Sequence, residues 1–464
     1  MAVAPPKQNP EVRGPERGEV AHFPPGLHNA YLFAVFNALS FQIILNSPIV
    51  LYAKSLGASA TVLGIIVGMW PLLVIFQIPA AQHISRIGYK RFVYAGWGTR
   101  VCFIFAMALV PLSGRFLNQT TQLALLLMLL FGFNLSRGIS SAGWLPWISS
   151  LIPEQVRGRY LARDAACVNV ASAFAFLVAA ACLGRQPSSF RFALLFGFSA
   201  VMGAISLGFL KKIPDVAPPT EDPSKGGAGV PWFAMLRFPP FRKLLRAVIA
   251  WSAAYGGMTA FTVAFLKSDV GMSEATILLV NSVMFLGGLS SLWLLGSRLD
   301  HLGSKPVLTF CFAMWLLIAL AWGALAGRML APQLILVLAL ELLMGLCAAL
   351  VAMANVRLAM AIVPVMGRNH FFALYSVIGS LALGVAPVLW GLLIDAIGPR
   401  AIHAPHFEWN RYSIFFVAVA CMFALTLALG RRLEEPKAAS MDALLRELLL
   451  EAPQRVLVRI WPKE

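Results

Sequence analysis

The chain of 464 residues is 59% hydrophobic and only 12% charged, with a mean hydropathy of +0.77. A soluble domain carries about 25% charged residues, so a single water-exposed globule is excluded. The net charge of +17 would suit a nucleic-acid binder, but the basic residues fall in tails and short loops between apolar runs. That is the pattern of membrane topology and of anionic headgroups, so the lipid bilayer is the expected surrounding and no nucleic-acid partner is expected.

Residues 1–28 form a polar, proline-bearing tail without a signal-peptide core, so the first apolar stretch is expected to stay as a permanent span. Twelve runs reach the roughly 20 apolar residues that a spanning helix needs. They are 29–52, 61–84, 92–112, 121–150, 163–183, 190–210, 244–266, 274–297, 306–326, 333–361, 370–396 and 411–430. The expected fold is therefore an all-α membrane protein. Its longest break, 211–243, is rich in Pro, Gly and Lys and reads as a linker between six spans in 29–210 and six in 244–430. A tail at 431–464 contains "SMDALLRELLLE", whose leucines share one face of a surface helix. Placing both tails in the cytoplasm puts 26 of the 37 Lys and Arg residues on the inner side and eight on the outer. Such a bias is the positive-inside pattern and predicts a multi-pass protein of the plasma membrane.

Between spans 8 and 9 stands "GSRLDHLGSKP", a charged, glycine-punctuated knot in an otherwise oily stretch. Between spans 2 and 3 "AQHISRIGYKR" echoes it: Gly88 matches Gly303 and Lys90 matches Lys305 at one constant offset. A second echo pairs "LIPEQVRGRY" after span 4 with "AIVPVMGRNH" after span 10. Two repeats in register imply a duplicated six-helix half, a known transporter plan. Glycines let the two helices reverse tightly, and Asp300 could face cations or a helix N-terminus, latching one conformation. The plainer alternative is a solvated turn.

On these motifs the chain resembles the major facilitator superfamily, which carries G-x-x-x-D-R-x-G-R-K between spans 2 and 3 and often a weaker copy between spans 8 and 9. Here Gly296, Asp300, Gly303 and Lys305 match the pattern in the second copy. The first keeps Arg86, Gly88 and Lys90, with Ser85 at the Asp position. The resemblance implies two pseudo-symmetric six-helix bundles, with spans 1, 4, 7 and 10 around a central cavity. It also implies a secondary transporter of a small-molecule substrate, working by alternating access. Proton or other ion coupling and a monomer are expected. A non-transporting protein of the same fold, an assembly factor or sensor, is the alternative. Span 5 lacks the Gly-Pro motif typical of the superfamily's drug–proton antiporters.

Ionisable residues at membrane depth are costly and usually face protein or water. Arg137, set in "FNLSRGISSAGWLPW" near the middle of span 4, resembles the superfamily's span 4 arginine; Asn134 lies one turn before it. Glu341 is the one carboxylate well inside an apolar run; it could carry a proton or pair with a buried arginine. Arg100 in span 3 is expected to make a structural pairing, and Arg357 to reach toward the nearer interface. Span 1 offers Asn37, Ser40, Gln42 and Asn46. Span 7 offers Trp251, Tyr255, Thr259 and Thr262 as one helical stripe. Polar glue between helices is the competing reading of both stripes.

The six cysteines, Cys102, Cys167, Cys182, Cys311, Cys347 and Cys421, lie in apolar runs without a CxxC pair and read as small hydrophobes. "HAPHFE" at 403–408 reads as an incidental loop sequence, so no metal or cofactor is expected. No Walker A motif is present, and no enzyme is expected.

Overall fold

In the computed structural model, residues 26–152, 154–185, 187–216, 232–295, 303–362, 368–435 and Leu444 are described. Among them twelve helices are long and apolar enough to cross a bilayer. Spans 1 to 6 are His28–Ser55, Ala60–Ala81, Tyr89–Arg115, Gln119–Leu151, Tyr160–Leu183 and Ser189–Lys212. Spans 7 to 12 are Pro239–Ser268, Glu274–Ser291, Ser304–Ala326, Leu334–Ile362, Phe371–Ile397 and Arg411–Arg431. Helices suit such a chain because lipid offers backbone N–H and C=O groups no partner. An even number of crossings leaves His28 and Arg431 at one end of the molecule, called here the proximal end.

The duplication is visible in the packing. Span 1 packs on spans 5 and 6, span 3 on 4 and 6, and span 2 on 4; span 7 packs on 11 and 12, span 9 on 10 and 12, and span 8 on 10. Every pair in the second set is a first-set pair advanced by six. The halves meet where span 2 packs on span 11 and span 5 on span 8, and these contacts are also each other's counterparts. Small residues permit the approach. Gly64 lies against the Pro387 backbone, Gly68 against the Gly384 carbonyl and Gly391 against Ala60.

Helix starts at the distal end are capped by their own sequence. Asn118 Oδ1 accepts from Thr121 N at 2.8 Å, and Asn410 builds a capping box with Ser413. A short hairpin, β1 (Ile402–Ala404) with β2 (Phe407–Trp409), precedes span 12. Within it the "HAPHFE" carboxylate Glu408 accepts from Arg328 Nε at 3.0 Å.

The paired knots share one backbone device. Gly88 (φ 86, ψ 150) precedes span 3 and Gly303 (φ 84, ψ 163) precedes span 9. Only glycine holds this region without strain, at a cost of about 1–3 kcal/mol for other residues. A Cβ at Gly88 would touch nothing within 4 Å, so the cost there is purely conformational. Gly88→Ala is expected to lower stability by about 1–3 kcal/mol; an unchanged thermal midpoint of the detergent-solubilised protein would contradict this.

In both halves the chain leaving the sixth helix holds the third. Lys90 Nζ donates to Ile213 O at 2.9 Å, just after span 6. In the second half Glu435, just after span 12, accepts from Ser304 N at 3.0 Å and Lys305 N at 2.7 Å. It also pairs with Arg357 at 2.5 Å, and Arg357 reaches Ser304 Oγ at 3.1 Å. A carboxylate capping a helix N-terminus was expected of Asp300; within the described residues Glu435 does it. Gly296 and Asp300 lie outside the described residues, as do Pro153, Pro364 and all of "SMDALLRELLLE" except Leu444. Arg86 is exposed. Of the stretch read as a linker, 232–237 is helical and span 7 begins at Pro239.

Candidate functional site

Two spans are broken at matching depth. Span 1 is interrupted at Asn46 (φ −123, ψ −154), after which Ser47 and Pro48 start a separate helix. Pro48 suits a helix start because its missing N–H would have no partner there. Span 7 is interrupted at Gly256 and Gly257, the latter at φ 83. The distal pieces, Ser47–Ser55 and Met258–Ser268, pack on each other. Both breaks border one hollow of about 100 Å³ between the halves, together with Trp70, Tyr255, Thr259 and Pro387.

A second hollow of about 240 Å³ lies within the first half, bordered by Asn37, Trp97, Arg100, Arg137, Trp144 and Asp164. Asn37 Oδ1 accepts from Trp97 Nε1 at 3.3 Å. The Arg137 guanidinium sits 4.9 Å from the centre of the Trp70 ring, so Trp70 stands between the two hollows. Arg100 is 4% exposed and lies between Trp97 and Phe133, 4.8 and 4.9 Å from the ring centres. Among the described residues neither arginine has a carboxylate partner, and Asp164 Oδ1 accepts no hydrogen bond. Among the described residues, three ionisable groups without an ion-pair partner thus border one hollow within the spans, where such groups are costly.

The structure brings Asn37 and Arg137 to this hollow, and Tyr255 and Thr259 to its neighbour. It places three other expected residues elsewhere. Asn134 is buried and donates to Leu130 O at 2.9 Å, one turn back on its own helix. Trp251 stacks on Tyr255 at 5.2 Å and meets Trp315 and Phe423, inside the aromatic core of spans 7, 9 and 12. Glu341, 1% exposed, borders neither hollow. Arg100 was expected to find a structural pairing; it finds two rings and the hollow. Asp164 was not singled out, because the sequence places it at the very start of span 5. In the structure it stands in the second turn of span 5, Tyr160–Leu183, and borders the hollow.

Polar links tie the halves at the distal end. Asp395, closing span 11, accepts from Ala60 N at 3.0 Å, Thr61 N at 2.7 Å and Thr61 Oγ1 at 2.6 Å, capping span 2. Asn281 of span 8 donates to Ser47 Oγ of span 1, and Ala275 N donates to Gly184 O at 3.3 Å. The proximal links named above, and that of Lys243 with Glu434, each stay within one half.

Fold and site together define a membrane protein of two equivalent six-helix bundles around a polar interior. The sequence profile of the Major Facilitator Superfamily matches residues 30–266 and again 252–459, so the chain belongs to that superfamily. Among solved structures it is similar to the nucleoside transporter NupG, at 11% identity and a TM-score of 0.61, covering 88% of this chain and 99% of that one. It is also similar to the peptide transporter POT in complex with sulfate, at 16% identity and a TM-score of 0.63, covering 90% and 96%. A bacterial homologue of the iron transporter ferroportin in the inward-facing state is a third, at 14% identity and a TM-score of 0.61, covering 88% and 98%. Identities this low establish the shared fold alone. None of the curated proteins compared matches the chain.

Proposed function

We propose that the protein is a secondary transporter that carries a small solute across the plasma membrane by alternating access between its two halves. Both chain ends face the cytoplasm, and the unit acts as a monomer. The observation that carries this reading is the enclosure shared by Arg100, Arg137 and Asp164. Three unpaired ionisable groups inside a bilayer are costly, and a bound solute gives them partners. The matching breaks of spans 1 and 7 support it, since discontinuous helices border the sites of several transporter folds. An ion gradient, most simply of protons, supplies the energy. Glu341, buried in span 10 with no basic partner among the described residues, is the group to carry the ion.

The test is solute uptake into proteoliposomes loaded with a pH-sensitive dye. Solute-dependent flux with a dye response is expected. An absence of flux across a broad metabolite panel would favour the non-transporting alternative.

The distal links define the closed end. Replacing the Asp395 carboxylate removes a charged cap worth about 1 kcal/mol, close to a fivefold change in a two-state equilibrium. Asp395→Asn is therefore expected to raise thiol labelling of a cysteine placed at the buried Ala60, which meets Asp395 through its backbone alone, severalfold; labelling equal to that of the parent would remove Asp395 from the gate.

A further inference from the structure

The hollow beside span 4 narrows the solute further. We infer that it is an amphipathic organic monoanion: one carboxylate-type group on a flat, aromatic body. This rests on the transporter reading above.

Charge comes first. Arg100 and Arg137 are permanently cationic, and Asp164 contributes one negative charge. No ion pair joins any of the three to another described residue. The enclosure therefore carries one uncompensated positive charge at membrane depth. A monoanion brings the sum to zero. A neutral solute leaves the excess in place, and a cation adds to it. A guanidinium fork also matches a carboxylate in shape, offering two parallel N–H donors.

The donor set agrees. Asn37 spends its carbonyl oxygen on Trp97, which leaves its amide N–H groups to donate. Asp164 is the one charged acceptor bordering the hollow. A solute that accepts at one pole is matched by two guanidinium groups and an amide.

Aromatic rings supply the remaining wall. Phe33 lies 4.8 Å from Trp144 and 6.0 Å from Trp97, and these two indoles are 6.1 Å apart. All three border the same 240 Å³ hollow. Rings grouped this way favour a flat apolar partner, by area and by stacking. The hollow is of the size that encloses one small organic molecule rather than a polymer segment.

Calorimetry on the purified full chain in detergent provides the test, with naphthoate, naphthamide, naphthylmethylammonium and naphthalene dicarboxylate as probes. Naphthoate is expected to bind at least about tenfold tighter than the amide or the ammonium, as a charge-assisted contact should. Arg137→Gln should erase that difference. Asp164→Asn raises the charge of the hollow by one, so preference should move from naphthoate to the dicarboxylate. A misfolded variant would not produce such an exchange of preference. Equal binding of naphthoate and naphthamide, tighter binding of the ammonium, or no binding of naphthoate overturns the inference. Vesicle flux on the same preparation separates the two readings. Flux of some other solute without naphthoate binding defeats the monoanion alone. Naphthoate binding without flux of any solute defeats the transporter alone.

Discussion

Arg137→Ala is expected to reduce solute flux by about a hundredfold. A charge-assisted contact is worth up to about 3 kcal/mol, and each 1.4 kcal/mol is a factor of ten. Fold should survive the change. Arg137 makes no salt bridge among the described residues, and its guanidinium lies over the ring of the partly exposed Trp70. Arg137→Lys should restore part of the activity, because it keeps the charge but loses the planar fork. The measurement is initial uptake rate in proteoliposomes with matched protein content. Parental flux from Arg137→Ala would remove the arginine from the transport pathway.

The second large effect concerns stability. Glu435 is 3% exposed at its side chain and serves three groups on two spans: two N–H groups of span 9 and the guanidinium of Arg357 in span 10. Removing one partner of a buried pair costs about 3–5 kcal/mol. Arg357 is 29% exposed at its side chain, so the lower figure applies. Glu435→Gln should therefore lower stability by about 3 kcal/mol, visible as an earlier thermal transition of the solubilised protein. Replacing both partners, Glu435→Leu with Arg357→Met, should recover part of the loss. No recovery would show that capping of span 9, not the ion pair, dominates.

Much of the architecture is legible in the residues, because lipid imposes one crude constraint: a run of about 20 apolar residues becomes a helix. The twelve predicted spans coincide with the observed ones to within a few residues at almost every end, and the glycine echo at Gly88 and Gly303 appears as one shared conformation. Which face of a span turns inward is harder to read. Hydropathy distinguishes lipid from water, and a helix packed among helices is apolar all round. Glu341 and Arg137 therefore look alike in the sequence, yet one is walled in and the other borders a hollow. Asn134 shares a face with Arg137 by spacing, but its amide turns back to the carbonyl four residues earlier, as short polar side chains in helices often do.

The stripe Trp251, Tyr255, Thr259 and Thr262 is divided for a different reason: Tyr255 and Thr259 border a hollow, and Trp251 and Thr262 do not. Its spacing assumes an unbroken helix, and the Gly256–Gly257 break resets the register in the middle. That signal was present in the sequence, as was Asn46-Ser47-Pro48 in span 1. Glu435 carried no signal, since it belongs to a polar run after the last span and finds its partners only through folding.

The interruptions at Asn46 and Gly257 also alter the mechanics. A continuous α-helix behaves as a stiff rod, so tilting one tip drags the whole length. Here the outer tips are segments of 9 and 11 residues that lean on each other. Each meets the rest of its span at a joint where the hydrogen-bond ladder is interrupted. Under the proposed alternating access, the tips of spans 1 and 7 can therefore tilt without dragging the whole of either helix.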